Sequence, residues 1–255
     1  MEAIVLADKL LMHNLYCGDC TVTLPTLPAA SVDLVLTSPP YFLEKDYEKN
    51  WTWEYFTDLM VNVFKEVHKV LKPGGYFVVN FGDAYNSGNR FYESDVPSVY
   101  PMSVEYFKWG IGAGFDLQAT RIWRKKFAKM GIPYVSNSHP RPIFDSEHIW
   151  TFRKKNGSNK EYVNDRKLSQ RGVIGEDWSS PAKLGIHCAS FPIDLPLWAI
   201  KVYSQIGDTV LDPFMGAGTT GEAALYLKRH FIGIEKDSSY FEVAKERVEK
   251  PVIEF

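Results

Sequence analysis

Two short stretches carry the side chains that chemistry needs. Near the front, Thr37-Ser38-Pro39-Pro40-Tyr41 follows the apolar run Val32-Asp33-Leu34-Val35-Leu36. Near the back, Asp212-Pro213-Phe214-Met215-Gly216-Ala217-Gly218-Thr219-Thr220 follows Thr209-Val210-Leu211. In the first, the Ser38 hydroxyl and the Pro39 carbonyl are hydrogen-bond acceptors. Pro39 and Pro40 are stiff and lack amide hydrogens, so their carbonyls stay aimed outward rather than being tied up locally. Such acceptors suit an exocyclic amine, whose lone pair is delocalised into its ring. Accepting its two hydrogens draws the nitrogen toward tetrahedral geometry, where the lone pair can attack. Tyr41 adds a ring on which an extruded base stacks, as base-modifying enzymes require. On this reading the ring face matters more than the hydroxyl, and Tyr41→Phe is expected to be mild. Alone, a Ser-Pro-Pro run is usually a rigid turn and a tyrosine after it a surface aromatic.

The second stretch must turn sharply from a strand into a helix. Gly216 and Gly218 permit the torsions and close approach that a side chain would forbid. Exposed amides at the helix start favour a carboxylate or other anion. Glu235 closes the next strand about twenty residues on, where an acid usually holds ribose hydroxyls. A nicotinamide or flavin nucleotide would use these features too, but its three-glycine fingerprint is missing.

Asp-Pro-Phe-x-Gly-x-Gly-Thr-Thr resembles the methionine-end loop of methyltransferases that use S-adenosylmethionine. Thr-Ser-Pro-Pro-Tyr resembles the signature of the beta-group DNA amino-methyltransferases, which act on cytosine N4 or adenine N6. Ser in that signature is commoner in the N4-cytosine enzymes and Asp in the N6-adenine ones. The likeness spans Asp19, Thr37 to Tyr41, Lys72-Pro73-Gly74-Gly75, the lead-in from His187 to Pro192, Asp212 to Thr220, and Glu235. It implies a Rossmann-like α/β methyltransferase fold with circularly permuted motif order, S-adenosylmethionine as cofactor, and cytosine N4 of double-stranded DNA as target. Adenine N6 stands as the runner-up and RNA as a further substrate. By the same likeness Ser38, Pro39, Pro40 and Tyr41 are catalytic. Asp19, Thr37, Phe191, Asp212, Pro213, Phe214, Gly216, Gly218, Thr219 and Glu235 hold the cofactor, with Asp19 at the adenosine and Phe191 to Leu197 over the methionine end. From other classes, an idle nucleic-acid-binding module is disfavoured by the intact Ser38 and Tyr41, and an oxidoreductase by the Thr37–Tyr41 loop.

The elements around these loops are legible. Leu15 to Cys17 reads as a strand, and residues from Trp53 to Leu71 place Phe56, Leu59, Met60, Val63, Phe64 and Val67 at helical spacing. Lys72-Pro73-Gly74-Gly75 stops that helix before a buried-type strand, Tyr76 to Phe81. A helix opens near Pro101, strands follow at Leu117 to Trp123 and His148 to Phe152, and Asn156 to Lys183 shows no sustained period. Helix from Pro192 to Ser204, strand to Leu211, helix from Gly218 to Leu227, strand from Phe231 to Glu235 and a helix from about Ser239 to Glu249 complete the order. Alternating strands and helices predict a mainly parallel sheet with helices on both faces. Ligands then sit outside the strands' carboxyl ends. Asp19, Thr37 to Tyr41, Asn80 to Asp83, Asp212 to Gly218 and Glu235 all fall there.

With 255 residues, 45% hydrophobic and 24% charged, the chain has the make-up of an ordinary globular protein, long enough for one large domain or one with an elaborated insertion, and the resemblance implies a single methyltransferase domain over 1–255. No apolar run is long enough to span a bilayer and no charged-then-apolar leader is visible, so a cytoplasmic monomer or homodimer is the expectation. The net charge of −2 hides a local surplus: from Arg121 to Arg171 there are 13 Lys and Arg against 4 Asp and Glu. That is the footprint of phosphate binding. Arg124, Lys125, Lys126, Lys154 and Lys155 are its candidate contacts, and residues 125–183 the candidate inserted target-recognition region, short for such an element. Tyr134, Trp150, Tyr162 and Trp178 are interleaved and offer stacking faces. Cys17 and Cys20 have the spacing of a zinc or redox half-site, but only Cys188 beside His187 offers a partner, so incidental buried thiols and no metal are expected.

Overall fold

The computed structural model describes residues 11–42, 48, 50–86, 91–95, 98–125, 145–158, 169–175, 178 and 191–249. The strands are β1 (His13–Cys17), β2 (Val32–Thr37), β3 (Leu71–Phe81), β4 (Ala84–Tyr85), β5 (Val99–Tyr100), β6 (Phe115–Arg124), β7 (Ser146–Lys154), β8 (Val173–Ile174), β9 (Thr209–Asp212) and β10 (His230–Glu235). The helices are α1 (Cys20–Thr23), α2 (Trp53–Val70), α3 (Ser103–Gly112), α4 (Asp194–Tyr203), α5 (Thr219–Tyr226) and α6 (Ser238–Glu249).

Among the described residues the main sheet has eight strands in the order β1-β10-β9-β2-β3-β7-β6-β8. From β1 to β3 every pairing is parallel, whereas β7 runs antiparallel to both β3 and β6. The two strands latest in the chain, β9 and β10, lie between β1 and β2. This is the permuted order implied by the motifs.

Side chains alternate across the sheet. Val35, Phe77, Val79 and Phe81 join the core beneath α2 and α3, while Leu34, Leu36, Tyr76 and Val78 join the core beneath α4, α5 and α6. Helices therefore cover both faces, as buried parallel strands require. The helix after β2 and the helix after β9 lie on opposite faces, so a crevice opens between the carboxyl ends of these neighbouring strands. That is the switch point where such sheets bind ligands.

The α2 helix forms because its apolar residues fall on one stripe, with Phe56, Leu59, Met60, Val63, Phe64, Val67 and Val70 buried. The Thr52 hydroxyl caps it, accepting from the Tyr55 amide at 3.1 Å. Phe64 is fully enclosed by the rings of Phe77, Tyr106, Trp109 and Phe152. Truncating such a ring to Ala costs about 3–5 kcal/mol.

One boundary differs from the sequence reading. The Lys72–Gly75 run is not a gap between helix and strand, because β3 already begins at Leu71. The register jumps there, from Val32 opposite Leu71 to Leu34 opposite Tyr76. The four residues form an irregular bulge within the strand, and Lys72 there meets the buried Asp33 carboxylate at 2.7 Å. Asp33 also accepts from the Thr209 amide at 3.0 Å, joining β2, β3 and β9 at their amino ends.

Candidate active site

The cofactor side of the crevice is built from the loops after β9, β10 and β1. At the β9 end Asp212 is 1% exposed. One of its carboxylate oxygens accepts from the Thr37 hydroxyl at 2.6 Å and the Phe214 amide at 3.1 Å; the other accepts from the Thr220 hydroxyl at 2.6 Å. Burial pushes its carboxyl up to about 6 and the hydrogen bonds restrain that rise. Asp212 is thus turned inward as the staple between the end of β2, the loop and the first turn of α5. Its place at a strand end predicts a side chain aimed at a ligand; the packing makes it a brace for the loop instead. The loop itself takes left-handed torsions, φ +54° at Gly216 and +81° at Gly218. A side chain at Gly218 would also press on Ala244 of α6, whose Cα lies 2.9 Å from the position a Cβ would take. Pro213 is buried, Phe214 partly so. The Thr219 hydroxyl accepts from Arg247 of α6 at 2.7 Å, so Thr220 rather than Thr219 serves the loop carboxylate.

Glu235 ends β10 and accepts from the Gly216 amide and the Asp237 amide, each at 2.8 Å. Burial raises its carboxyl above the ordinary range. The Gly18 amide donates to the Glu235 carbonyl at 2.8 Å, binding the ends of β1 and β10 together. Asp19 caps α1 through the Thr21 amide and hydroxyl, at 2.9 and 2.7 Å, and meets the Lys236 ammonium at 2.9 Å. Burial alone would raise the Asp19 carboxyl, but these partners outweigh it and hold it below the usual range. Lys236 escaped the sequence reading, which looked for ribose-binding acids and not for their counter-ions. Phe191, partly buried, leads into α4, which packs against α5. The donor set fits a nucleoside with a charged amino-acid tail. Acids lie at the ends of β1 and β10, and between them the glycine turn, whose Gly216 and Gly218 amides donate to Glu235 and to the Met215 carbonyl, leads into α5.

The catalytic side is the loop after β2. Pro39 is buried, and Ser38 and Tyr41 are partly buried. Ser38 Oγ lies 2.8 Å from Tyr41 Oη. The same phenol reaches Asn80 Oδ1 at 3.0 Å and Glu147 Oε2 at 3.1 Å. The Tyr41 hydroxyl is therefore an anchored group, contrary to the expectation that only its ring counts. Burial, then the nearby Glu147 charge, raises the phenol well above its ordinary value, so it keeps its proton. The next residue, Phe42, adopts φ +58°, uncommon for a bulky side chain. It is held there by stacking on Phe56 at 5.2 Å and by the Glu48 carboxylate, which accepts its amide at 3.0 Å.

Asn80 belongs to the predicted strand-end set, but Glu147 does not. It sits at the amino end of β7, and because β7 is antiparallel this end meets the carboxyl end of β3, with His148 opposite Phe81.

The basic residues divide. Arg124 and Lys125 lie at the carboxyl end of β6, on the edge shared with Glu147, and Lys125 pairs with Glu147. Lys154 and Lys155 are at the opposite edge. Lys154 donates to the His68 and Leu71 carbonyls at 2.6 and 2.8 Å, closing the end of α2, and Lys155 faces Asp116 at 3.4 Å. Arg121 is 7% exposed, donates to the Tyr203 hydroxyl at 2.6 Å and stacks over Trp198. The positive stretch is therefore not one surface. Lys126 and most of 125–183, Tyr134 and Tyr162 included, lie outside the described residues; Trp150 is a core ring, 9% exposed. Cys20 is buried, and burial lifts its thiol to about 12. Cys17 is exposed, unlike the buried pair expected, and Cys188 is outside the described residues.

Residues 32–246 match a family model described as DNA methylase, of the N6 and N4 methyltransferases. The type II methyltransferase M.BglI of Bacillus subtilis is 30% identical over 93% of this chain and 86% of its own length. M.MjaI of Methanocaldococcus jannaschii is 29% identical over 92% and 91%. Among solved structures, a Thermus thermophilus protein in complex with S-adenosyl-L-methionine superposes with a TM-score of 0.70 at 30% identity, covering 93% of each chain. The cytosine-N4-specific PvuII DNA methyltransferase gives 0.66 at 26% identity, covering 95% of this chain and 88% of that one.

Proposed function

The chain belongs to the S-adenosylmethionine-dependent DNA methylase family of N6 and N4 methyltransferases, and from that premise we propose that it methylates the exocyclic N4 amine of cytosine in double-stranded DNA. The observation that carries this reading is the 2.6 Å hydrogen bond from Thr37 to Asp212. It fastens the start of the Ser38 loop to the Gly216–Gly218 loop, so an amine at one and a methyl donor at the other are neighbours. The choice of cytosine is supported by Ser38 at the head of the motif and by the likeness to a cytosine-N4-specific enzyme.

In this reading S-adenosylmethionine supplies a methyl group made electrophilic by its sulfonium. Glu235 holds the ribose and Asp19 the adenosine end, and the Gly216–Gly218 turn lies beside the amino-acid tail, with Phe191 over the methionine end. Ser38 and the Pro39 carbonyl accept the amine hydrogens, and the Tyr41 ring stacks on the extruded base. With the cofactor bound, the nitrogen would attack the methyl carbon in line as the carbon–sulfur bond breaks to leave a neutral thioether, the methylated amine would lose one proton to solvent, and no covalent enzyme intermediate would be needed. Arg124 and Lys125 reach the phosphates beside the base, and residues 125–183 read the sequence around it.

Ser38→Ala tests the assignment. The hydroxyl's hydrogen bond strengthens as the nitrogen becomes tetrahedral, so its loss falls on the chemical step. Single-turnover methyl transfer at saturating cofactor and DNA is expected to drop about a hundredfold or more, with cofactor affinity unchanged. A normal rate in this variant would show that the loop is not the catalytic centre.

A further inference from the structure

Hydrogen counting around Tyr41 fixes more than a contact. Asn80 donates one amide hydrogen to Glu147 Oε2 at 3.0 Å and the other to the His148 carbonyl at 3.1 Å. Its Oδ1 is therefore the atom that faces Tyr41, and it only accepts. An ionised Glu147 also only accepts. The inner neighbours of the phenol at 3.0 and 3.1 Å are thus both acceptors, and its single hydrogen points inward. Toward Ser38, 2.8 Å away, Tyr41 Oη then has lone pairs alone. Ser38 must give its one hydrogen to Tyr41, which leaves the Ser38 lone pairs facing outward.

We propose that Glu147 is a positioning residue for methyl transfer: acting through Tyr41, it fixes the Ser38 hydroxyl so that its lone pairs, not its hydrogen, meet the target amine. This rests on the reading that Ser38 contacts the amine. The chain of bonds runs from β7 through the loop after β2, and Asn80 of β3 locks it. Replacing the Glu147 carboxylate removes the anionic one of the two inner acceptors, so the phenol hydrogen is held inward less firmly and can turn to Ser38, occupying the lone pair that the amine needs. Among the described residues, Tyr41, Asn80 and the Lys125 ammonium at the end of β6 meet Glu147.

Single-turnover methyl transfer to labelled DNA tests this with Glu147→Gln, Tyr41→Phe and the double variant. Each single variant is expected to slow the chemical step about tenfold to a hundredfold, with cofactor affinity and the KM for DNA little changed. The double variant is expected to be no slower than the slower single, because both break one chain. A wild-type rate in Glu147→Gln, or losses that multiply in the double variant, would each overturn the proposal. Titration of cofactor by calorimetry shows that a slowed variant is folded. Should Ser38→Ala transfer methyl normally, the underlying reading of Ser38 fails; failure confined to the Glu147 variants removes only this inference.

Discussion

The two sides of the crevice satisfy their polar groups in different ways. On the cofactor side, Asp212 and Glu235 are bound mainly by amides and short hydroxyls of the adjoining loops after β9 and β10, with Thr37 of β2 reaching Asp212 from across the sheet. On the catalytic side, Tyr41, Asn80, Glu147 and Lys125 come from four separated parts of the chain. A loop that braces itself is preformed and should report damage as lost stability and affinity. A cluster assembled across the sheet sets the direction of hydrogens and should report damage as lost rate.

The comparison breaks first at Asp212. Asp212→Ala leaves the Thr37 and Thr220 hydroxyls buried without their acceptor and opens a void. It is expected to lower unfolding free energy by about 2–4 kcal/mol and to weaken cofactor binding with it, read by chemical denaturation and calorimetry. A variant as stable as the parent would mean that the staple is idle. Asp212→Asn sharpens the point. Since the folded-state carboxyl is raised to about 6 from an ordinary value of 3.8, its contribution to stability is fully present below about 3.8 and is lost as pH rises through about 6. The asparagine variant should lack this share of the decline, so its stability measured from about pH 4 to 7 should run flatter than the parent's.

A smaller effect is expected at Glu235. Glu235→Ala should weaken cofactor binding about tenfold, the loss of one or two hydrogen bonds to a charged acceptor, and leave the rate at saturating cofactor nearly unchanged. An unaltered affinity would remove Glu235 from the site. The smallest effect separates the two basic edges. Replacing Arg124 and Lys125 with Ala should flatten the slope of log affinity for DNA against log salt by about 2, roughly one unit for each phosphate no longer neutralised. Lys155→Ala on the far edge should leave the slope as it was; equal flattening by both would restore a single continuous basic surface.

How much of this was legible follows from which forces act locally. The strand-end rule brought together Asp19, the Ser38 loop, Asn80, the glycine turn and Glu235, because parallel order and helical period are written in consecutive residues. Glu147 was not legible, since the rule assumes carboxyl ends and β7 runs the other way. The charge surplus from Arg121 to Arg171 looked like one surface because sequence does not show that Lys154 closes a helix or that Arg121 is buried against Trp198. Asp212 was found, but its orientation was set by Thr37, 175 positions away in the chain. The hydroxyl of Tyr41 was undervalued for the same reason: its partners Asn80 and Glu147 are distant in sequence.

The central claim is that the Ser38 loop, fastened beside the cofactor loop, methylates cytosine N4 in DNA. The most direct test is to incubate the protein with isotopically labelled S-adenosylmethionine and with DNA or RNA in parallel, digest to nucleosides and identify the labelled product by mass spectrometry. The account predicts label in N4-methylcytosine from DNA. Label only in N6-methyladenine, or only in RNA nucleosides, would contradict the assignment.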